Sequence, residues 1–339
     1  MTTRISLALQ GGGTHGAFTW GVIDRLLEEK DMEIAAISGT SAGALNGAAL
    51  KSGLVHGGAA CARERLTTLW NEVLRIGEFQ DLGPWFQFFR PMAQFWKKTI
   101  EASLPFDPGG LASQVYSPYS WGSSWENPLL PVIKTLEFER ICAKASPQLF
   151  VGATNVRSGK VKIFSGFDVT IESILASACI PTIFQAVEID GEAYWDGGFT
   201  GNPALWPLYH VEFPDDIIII QVNPLNRQEI PRTPREIENR VNEISFNASL
   251  MSELRAIAFV RRLISEGRLP QGLMKNVRVH MISDDTLMTE LTAETKLEPS
   301  ASLIMRLFDA GRRAGDNFID AHGEHLGKVP SVELRDIFG

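Results

Sequence analysis

Two glycine-framed segments near the start of the chain, each directly after a short apolar run, constrain the fold more than any other feature. Residues 11–16 follow the apolar run 5–9, and residues 39–43 follow the run 34–37. Continuous apolar runs of this length predict strands that are buried on both faces, and a helical pattern comes after each glycine segment. We therefore predict an α/β fold with a largely parallel sheet that helices cover on both faces.

The second segment, residues 39–43, has the pattern G-x-S-x-G. This pattern is typical of the sharp strand-to-helix turn that exposes a nucleophilic serine. The small residues Gly39 and Gly43 would let the strand and the helix pack closely, and the start of the helix would add free N–H groups near Ser41. We interpret Ser41 as a nucleophile in an elbow framed by Gly39 and Gly43. A chance pentad is the alternative, which the preceding strand and following helix disfavour.

The first segment, residues 11–16, is compatible with two kinds of site because it also has the pattern G-x-G-x-x-G. A dinucleotide site needs an acidic residue at the end of the second strand, whereas Glu33 lies before that strand. An oxyanion hole is favoured, since N–H groups of glycines can approach a substrate oxygen without interference from Cβ atoms. A purely structural turn stays an alternative. The predicted oxyanion hole consists of Gly11, Gly12, Gly13 and Gly16.

Two kinds of residue are candidates for the general base. A Ser-Asp-His order requires a late histidine at a strand end. The late histidines, none of them framed by turn-forming residues, are His210, His280, His322 and His325. Asp196 is framed better, because the two glycines that follow it allow the backbone to turn sharply and direct the carboxylate into a site. We favour Asp196, with an Asx turn that closes a hairpin as the alternative role for this residue.

Composition disfavours several classes of protein. The 339 residues carry a net charge of −8, which is unfavourable for a general nucleic-acid binder. The first apolar run is too short for a signal peptide, and no stretch approaches the roughly 18 apolar residues of a membrane-spanning helix. Cys61, Cys142 and Cys179 are widely spaced and odd in number, so reduced thiols in a cytoplasmic protein are expected.

The remaining pattern predicts further alternation of helices and strands, with a hairpin around the Asp-Gly turn at 190–191. The predicted helices cover about 16–29, 41 onward, 58–75, 129–144, 170–179, 250–264 and 301–321. The predicted strands cover about 4–10, 34–38, 148–154, 160–164, 217–220 and 277–283.

An aromatic-rich insertion at about 77–128 interrupts this alternation and contains four of the chain's eight tryptophans. It is either a small satellite core or an apolar lid, acyl-chain wall or interfacial anchor near Ser41. The residues predicted to contact substrate or a membrane are Trp85, Phe86, Phe88 and Phe89.

The ordered motifs resemble those of the patatin-like phospholipase family from about residue 5 to residue 204. They are the two glycine segments, the run 176–184, and Asp196 with its two glycines, followed by Asn202. The resemblance implies a three-layer α/β/α sandwich, and a lipid acyl hydrolase without metal or other cofactor. It also implies a catalytic dyad with Ser41 as nucleophile and Asp196 as base. The family often has Arg or Lys in the glycine loop where this chain has His15, so a positive charge there would depend on pH.

These observations predict a single domain over 1–339. Its catalytic core would cover about 4–225, and a mostly helical extension, 226–339, would pack on that core. The predicted function is hydrolysis of lipid esters, of the phospholipase A or lipase type, with phospholipid or acylglycerol as the substrate. A carboxylesterase for short or polyester substrates and a non-catalytic lipid-binding protein are the alternatives. The expected partners are a lipid or acyl ester and, transiently, a membrane surface, but no nucleic acid; the oligomeric state stays open.

Overall fold

The two apolar runs that precede the glycine segments form the centre of the sheet. In the computed structural model, which describes residues 2–78, 118–119, 127–142, 144–270, 272–292 and 294–338, β1 is Thr3–Leu9 and β2 is Met32–Thr40. They pair in parallel, with Leu9 opposite Gly39. Nearly every residue of both strands is buried, which is the reason for the continuous apolar runs.

The described residues form an eight-stranded mixed sheet in the order β5-β6-β3-β2-β1-β7-β8, with β4 paired to β3. The parallel strands β1, β2, β3, β7 and β8 make up most of the sheet, and β4, β5 and β6 are antiparallel. The remaining strands are β3 (Gln148–Asn155), β4 (Val161–Ser165), β5 (Val187–Ile189), β6 (Glu192–Asp196), β7 (Asp216–Ile220) and β8 (Arg278–Ile282). The predicted largely parallel sheet is confirmed, as is the hairpin between β5 and β6.

Strand β3 brings the ends of two distant segments together. Its residues pair with β2 as far as Gly152, which is opposite Thr40, and the next residue, Ala153, is opposite Asp196 of β6. Because β4 occupies the other edge of β3, β6 continues along the same edge as β2. Asp196 therefore lies near the end of β2, where Ser41 follows.

Helices cover both faces of the sheet. The first face holds α1 (Gly16–Leu26), α2 (Ala42–Glu78) and α8 (Ala301–His322), and the second face holds α6 (Pro234–Ser265) and α9 (Leu334–Phe338). Shorter helices are α3 (Leu130–Lys134), α4 (Phe138–Ile141), α5 (Ile171–Ser177) and α7 (Asp285–Glu290). In β1, Leu7 points into the first core and Ala8 into the second, so the fold is the predicted three-layer α/β/α sandwich.

Three helices differ from their predicted bounds. Helix α2 contains a break at Gly57 and Gly58, and so accounts for both predicted helices of this region. The single helix predicted at 129–144 is wrong, since Glu137 leaves the helical conformation between α3 and α4 and binds Arg65. Helix α6 begins earlier than its apolar spacing indicated, because Thr233 caps it in a capping box.

The part of the chain beyond residue 225 contributes to the sheet as well as to the helices. Strand β8 pairs in parallel with β7, and α8 packs against α1. The proposed division of the chain at about residue 225 stays a prediction. In the part of the chain that the structure describes, no helix has the length and apolar character needed to cross a membrane.

Candidate active site

Ser41 occupies the sharp turn between β2 and α2. Its φ of 55° is in the left-handed region, which is strained for a residue with a side chain. The N–H group of Ser41 donates to Ser177 Oγ at 2.9 Å, and Ser177 Oγ donates to the Gly152 carbonyl at 2.6 Å. The end of α5 and the middle of β3 therefore hold the strained turn in place.

The glycines on either side of Ser41 are required by close backbone packing. A Cβ atom on Gly43 would lie 2.2 Å from the carbonyl oxygen of Leu9, and one on Gly39 would lie 2.6 Å from the carbonyl oxygen of Gly43. These neighbours are backbone atoms, which cannot move aside as the end of a side chain can. The predicted close contact between strand and helix at this turn is therefore present.

Gly43→Ala is expected to lower the free energy of unfolding by about 3 kcal/mol or more, because the new methyl group overlaps the end of β1. Gly47→Ala, in the same helix, is the matched control. Its Cβ would meet methyl groups of Ile37 and Leu149 at 3.0 Å and of Leu9 at 3.7 Å, with no backbone atom among these neighbours, and alanine is the better helix former. Urea unfolding of the two variants measures the difference, and equal stabilities would contradict the close packing.

Asp196 ends β6 and is almost completely buried beside Ser41. Its Oδ1 atom accepts the N–H group of Gly198 at 2.7 Å, so the Asx contact left open by the sequence is present. The side chain of Ser41 lies close enough to favour the ionised carboxylate. Burial raises the pKa of Asp196 to about 6, although the bond from Gly198, the Ser41 side chain and the charge of Lys296 favour the ionised form. The carboxylate is thus a stronger base than an exposed aspartate.

The glycine loop lies directly against Ser41. A Cβ atom on Gly11 would lie 2.8 Å from Ser41 Cβ. The N–H group of Gly11 donates to Asn202 Oδ1 at 2.7 Å, and that of Gly16 bonds to the Gly13 carbonyl within a turn. Among the described residues, the N–H groups of Gly12 and Gly13 have no acceptor. Of the four glycines predicted for the oxyanion hole, these two keep N–H groups that other described residues do not use.

A cluster of buried amide side chains fixes the position of this loop. Gln10 Oε1 accepts the backbone N–H groups of Val222 and Asn223, and Gln10 Nε2 donates to Asn247 Oδ1 at 2.9 Å. Asn223 Nδ2 donates to the Gly11 carbonyl at 3.0 Å. Gln10 and Asn223 follow the ends of β1 and β7, a position that often carries functional residues in parallel sheets. That position is the signal by which sequence reasoning could have found them.

His15 is buried and neutral. Its Nε2 atom lies 2.7 Å from Thr295 Oγ1, and the Thr295 hydroxyl donates to the Thr292 carbonyl. His15 Nε2 therefore carries the hydrogen and donates it to Thr295. Burial, together with the nearby charge of Lys296, lowers the pKa of His15 to about 3. His15 therefore brings no positive charge to the glycine loop at neutral pH, because its buried imidazole stays unprotonated.

Lys296 brings a positive charge to the glycine loop from the far end of the chain. Its carbonyl accepts the Thr14 hydroxyl at 3.1 Å and would lie 2.2 Å from a Cβ on Gly13. Its Nζ donates to Asn223 Oδ1 at 2.7 Å and lies 5.4 Å from the centre of the Phe246 ring. No motif or spacing in the sequence connected this lysine with the site.

The late histidines lie away from Ser41. His280 is in β8, where its Nε2 bonds to Asp216 at the start of β7. Ser41 lies three strands away and four residues further along the strand direction. At about 3.3 Å per residue and about 4.8 Å per strand, the separation is roughly 20 Å. His210 is exposed and pairs with Glu212, and the rings of His322 and His325 lie 6.4 Å apart near the end of α8, tilted by 50°. None of them completes a triad with Ser41.

The predicted contact residues Trp85, Phe86, Phe88 and Phe89 lie outside the described residues. Within the described ranges, no group of three or more His, Cys, Asp or Glu side chains is placed to hold a metal ion. The three cysteines are free thiols.

Comparisons with known proteins place this site in a family. No curated protein sequence matches the chain significantly. Similar solved structures include VipD from Legionella pneumophila, 17% identical with a TM-score of 0.43, which aligns over 95% of this chain and 67% of that chain. A chain of the ExoU–SpcU heterodimeric complex from the type III secretion system of Pseudomonas aeruginosa is 17% identical with a TM-score of 0.31, over 99% of this chain and 74% of that chain. At such TM-scores neither superposition bears on the assignment.

The family model gives the assignment. A model described as patatin-like phospholipase matches residues 7–209, more than half of the chain. The matched span includes both glycine segments, Ser41 and Asp196. The chain therefore belongs to the patatin-like phospholipase family.

Proposed function

We propose that the chain is a serine hydrolase of lipid esters that uses Ser41 as nucleophile and Asp196 as general base. The observation that carries the proposal is the buried Asp196 carboxylate close to the side chain of Ser41, which lies in a strained turn against the glycine loop. Membership of the patatin-like phospholipase family supports lipid acyl hydrolase activity in general. The Ser-Asp dyad and the oxyanion donors are the finer part of the proposal.

In the first half of the reaction, Ser41 Oγ attacks the ester carbonyl and Asp196 accepts the hydroxyl proton. The carbonyl oxygen becomes an oxyanion, to which the free N–H groups of Gly12 and Gly13 donate. Each such donor is worth about 3 kcal/mol of transition-state stabilisation in comparable sites. When the intermediate collapses, the bond to the alcohol oxygen breaks and protonated Asp196 returns its proton to that oxygen, which leaves an acyl-Ser41 ester.

In the second half, water attacks the acyl-Ser41 carbonyl and Asp196 accepts a proton from it. The same two N–H groups stabilise the second oxyanion. Collapse breaks the bond to Ser41 Oγ, which takes the proton back from Asp196, and the carboxylic acid leaves. This cycle consumes one water and restores both side chains.

We propose a long-chain lipid ester as the substrate, with transient binding to a lipid surface through Trp85 and Phe86. A test is release of fatty acid from a long-chain glycerol ester compared with release of butyrate from a short soluble ester. The long-chain ester is expected to turn over faster, and its rate should rise when it forms aggregates. Preference for the short ester would instead indicate a carboxylesterase, and lipid binding without release would indicate a non-catalytic protein.

A further inference from the structure

The ammonium group of Lys296 is packed next to the dyad with only part of its hydrogen-bonding capacity used. Of its three N–H groups, one donates to Asn223 Oδ1, and the cation lies over the Phe246 ring. Among the described residues, the ammonium has no other hydrogen-bond acceptor. Burying a cation is unfavourable unless it is paired, so a partner from outside the described residues would stabilise this group.

The carboxylates around Lys296 are already bound by other groups. Glu243 accepts Arg227 through both oxygens, at 2.6 Å and 2.9 Å, and also accepts Arg240 at 3.2 Å. Asp196 accepts the Gly198 N–H group and attracts Lys296 through its charge. Neither carboxylate accepts a hydrogen bond from the Lys296 ammonium, so two of its N–H groups have no acceptor among the described residues.

The cation is also well placed relative to the proposed reaction centre. The ring of Phe246 lies between Lys296 and the turn after Asp196. The Lys296 ammonium lies over this ring, and a Cβ on Gly198 would lie 2.4 Å from it. Asn223 joins the same ammonium to the glycine loop through its bond to the Gly11 carbonyl. An anionic group a few bonds from the reacting carbonyl would thus meet Lys296.

We propose that Lys296 determines substrate specificity by binding the phosphate of an acyl ester whose phosphate group lies on the same glycerol as the ester. The inference rests on the proposed function of Ser41 and Asp196. Phosphate oxygens supply several strong acceptors, and a lysine ammonium is a compact point charge that suits them. Because His15 is neutral, Lys296 supplies the positive charge beside the oxyanion donors.

The experiment uses two substrates that differ only in phosphate, a 1-acylglycerol 3-phosphate and the 1-acylglycerol with the same acyl chain. Wild-type protein is expected to have the higher kcat/KM for the phosphate-bearing ester. Lys296→Met keeps most of the side-chain volume and removes the charge. This change should lower kcat/KM for the phosphate-bearing ester at least tenfold more than kcat/KM for the neutral ester, mainly through KM.

Two variants serve as controls. Lys296→Arg keeps the charge and should retain most of the selectivity for the phosphate-bearing ester. Lys275→Met removes another partly buried lysine, whose ammonium donates to the Leu208 and His210 carbonyls, and should leave the selectivity unchanged. Binding of the phosphate-bearing ester to inactive Ser41→Ala gives a readout that does not depend on turnover. Adding Lys296→Met to this variant should weaken the binding about tenfold.

Other results would overturn the inference in distinguishable ways. An equal loss on both esters would make Lys296 a support of the dyad instead of a phosphate ligand. Inorganic phosphate could instead inhibit neutral-ester hydrolysis by wild type but not by Lys296→Met, while wild type shows no preference between the two esters. That result would assign the lysine to free phosphate. Unchanged kinetics of Lys296→Met would remove the role altogether. Failure of wild type to hydrolyse either ester would instead reject the proposed function, and with it this inference.

Discussion

Ser41→Ala is expected to lower kcat/KM for a lipid ester by about 10⁴- to 10⁶-fold and to abolish covalent labelling by a fluorophosphonate. The reason is that both halves of the proposed reaction pass through the acyl-Ser41 ester, which alanine cannot form. The residual rate would come from the N–H groups of Gly12 and Gly13, which alanine leaves in place. Kinetics with purified protein and mass mapping of the labelled peptide measure the two effects.

The stability of the variants separates chemistry from folding. Alanine at position 41 adopts the same left-handed backbone conformation as serine, so the fold should be retained. Ser41→Gly should raise the free energy of unfolding by about 1 kcal/mol, because glycine relieves the strain at φ 55°. Ser52 lies in α2, and its buried hydroxyl has no hydrogen-bond partner among the described residues. The Ser52→Ala protein should therefore be labelled as the wild type is. Full labelling of Ser41→Ala would reject Ser41 as the nucleophile.

Asp196→Asn is expected to lower kcat/KM by about 10³-fold, because an amide cannot accept the proton of Ser41. The amide oxygen can still accept the N–H group of Gly198, so the geometry of the turn should survive. In wild type, burial raises the pKa of Asp196 to about 6, so kcat/KM should fall below about pH 6 as the base becomes protonated. An acid limb near pH 4 would show that the base is an exposed carboxylate instead.

The same substitution should stabilise the folded protein at pH 8. A raised pKa means that the folded state binds more protons than the unfolded state between pH 3.8 and about 6. Wild-type stability therefore decreases as pH rises through this window, by up to about 3 kcal/mol, and Asp196→Asn avoids this loss. The gain in free energy of unfolding should be present at pH 8 and disappear below about pH 4.

Asp216→Asn provides a control of opposite sign. Burial alone would raise the pKa of Asp216, but hydrogen bonds from His280 and Arg278 outweigh it and hold that pKa well below its usual range. Removing this charge should destabilise the protein at pH 8, by about 2 kcal/mol or more, since partly exposed Arg278 and buried His280 lose a charged partner. Thermal unfolding that shifts both aspartate variants in the same direction would contradict the assigned pKa directions.

The elements that frame Ser41 and Asp196 were predictable because each is encoded within a few neighbouring residues. A buried strand followed by small residues and a helix defines the turn at Ser41 in any tertiary context. The hairpin that delivers Asp196 depends on one Asp-Gly turn, where residues 190 and 191 have φ of 51° and 79°. Such local backbone preferences restrict which residue types occur at these positions, so they can be read from the sequence.

The rest of the site depends on contacts between residues that are far apart in the chain. Lys296 reaches the glycine loop because the segment before α8 crosses it, and no local pattern marks a lysine for that position. Gln10 and Asn223 resemble ordinary polar residues after strands until their amide groups are seen to bind each other. The neutral state of His15 is likewise a consequence of burial, which only packing can produce.

The sequence by itself determined the two glycine segments, the strands that precede them and the residue types suited to acyl transfer. Backbone strain and close approach restrict these positions to particular residues, and such restrictions are visible without coordinates. The tertiary structure decided that β6 follows β2 along the same edge of β3, and that the N–H groups of Gly12 and Gly13 have no acceptor among the described residues. It also decided that the cation near the glycine loop comes from Lys296. Distances, burial and charge balance depend on the packed chain. They arise between segments that are far apart in the sequence, and no local pattern encodes which of these segments come into contact.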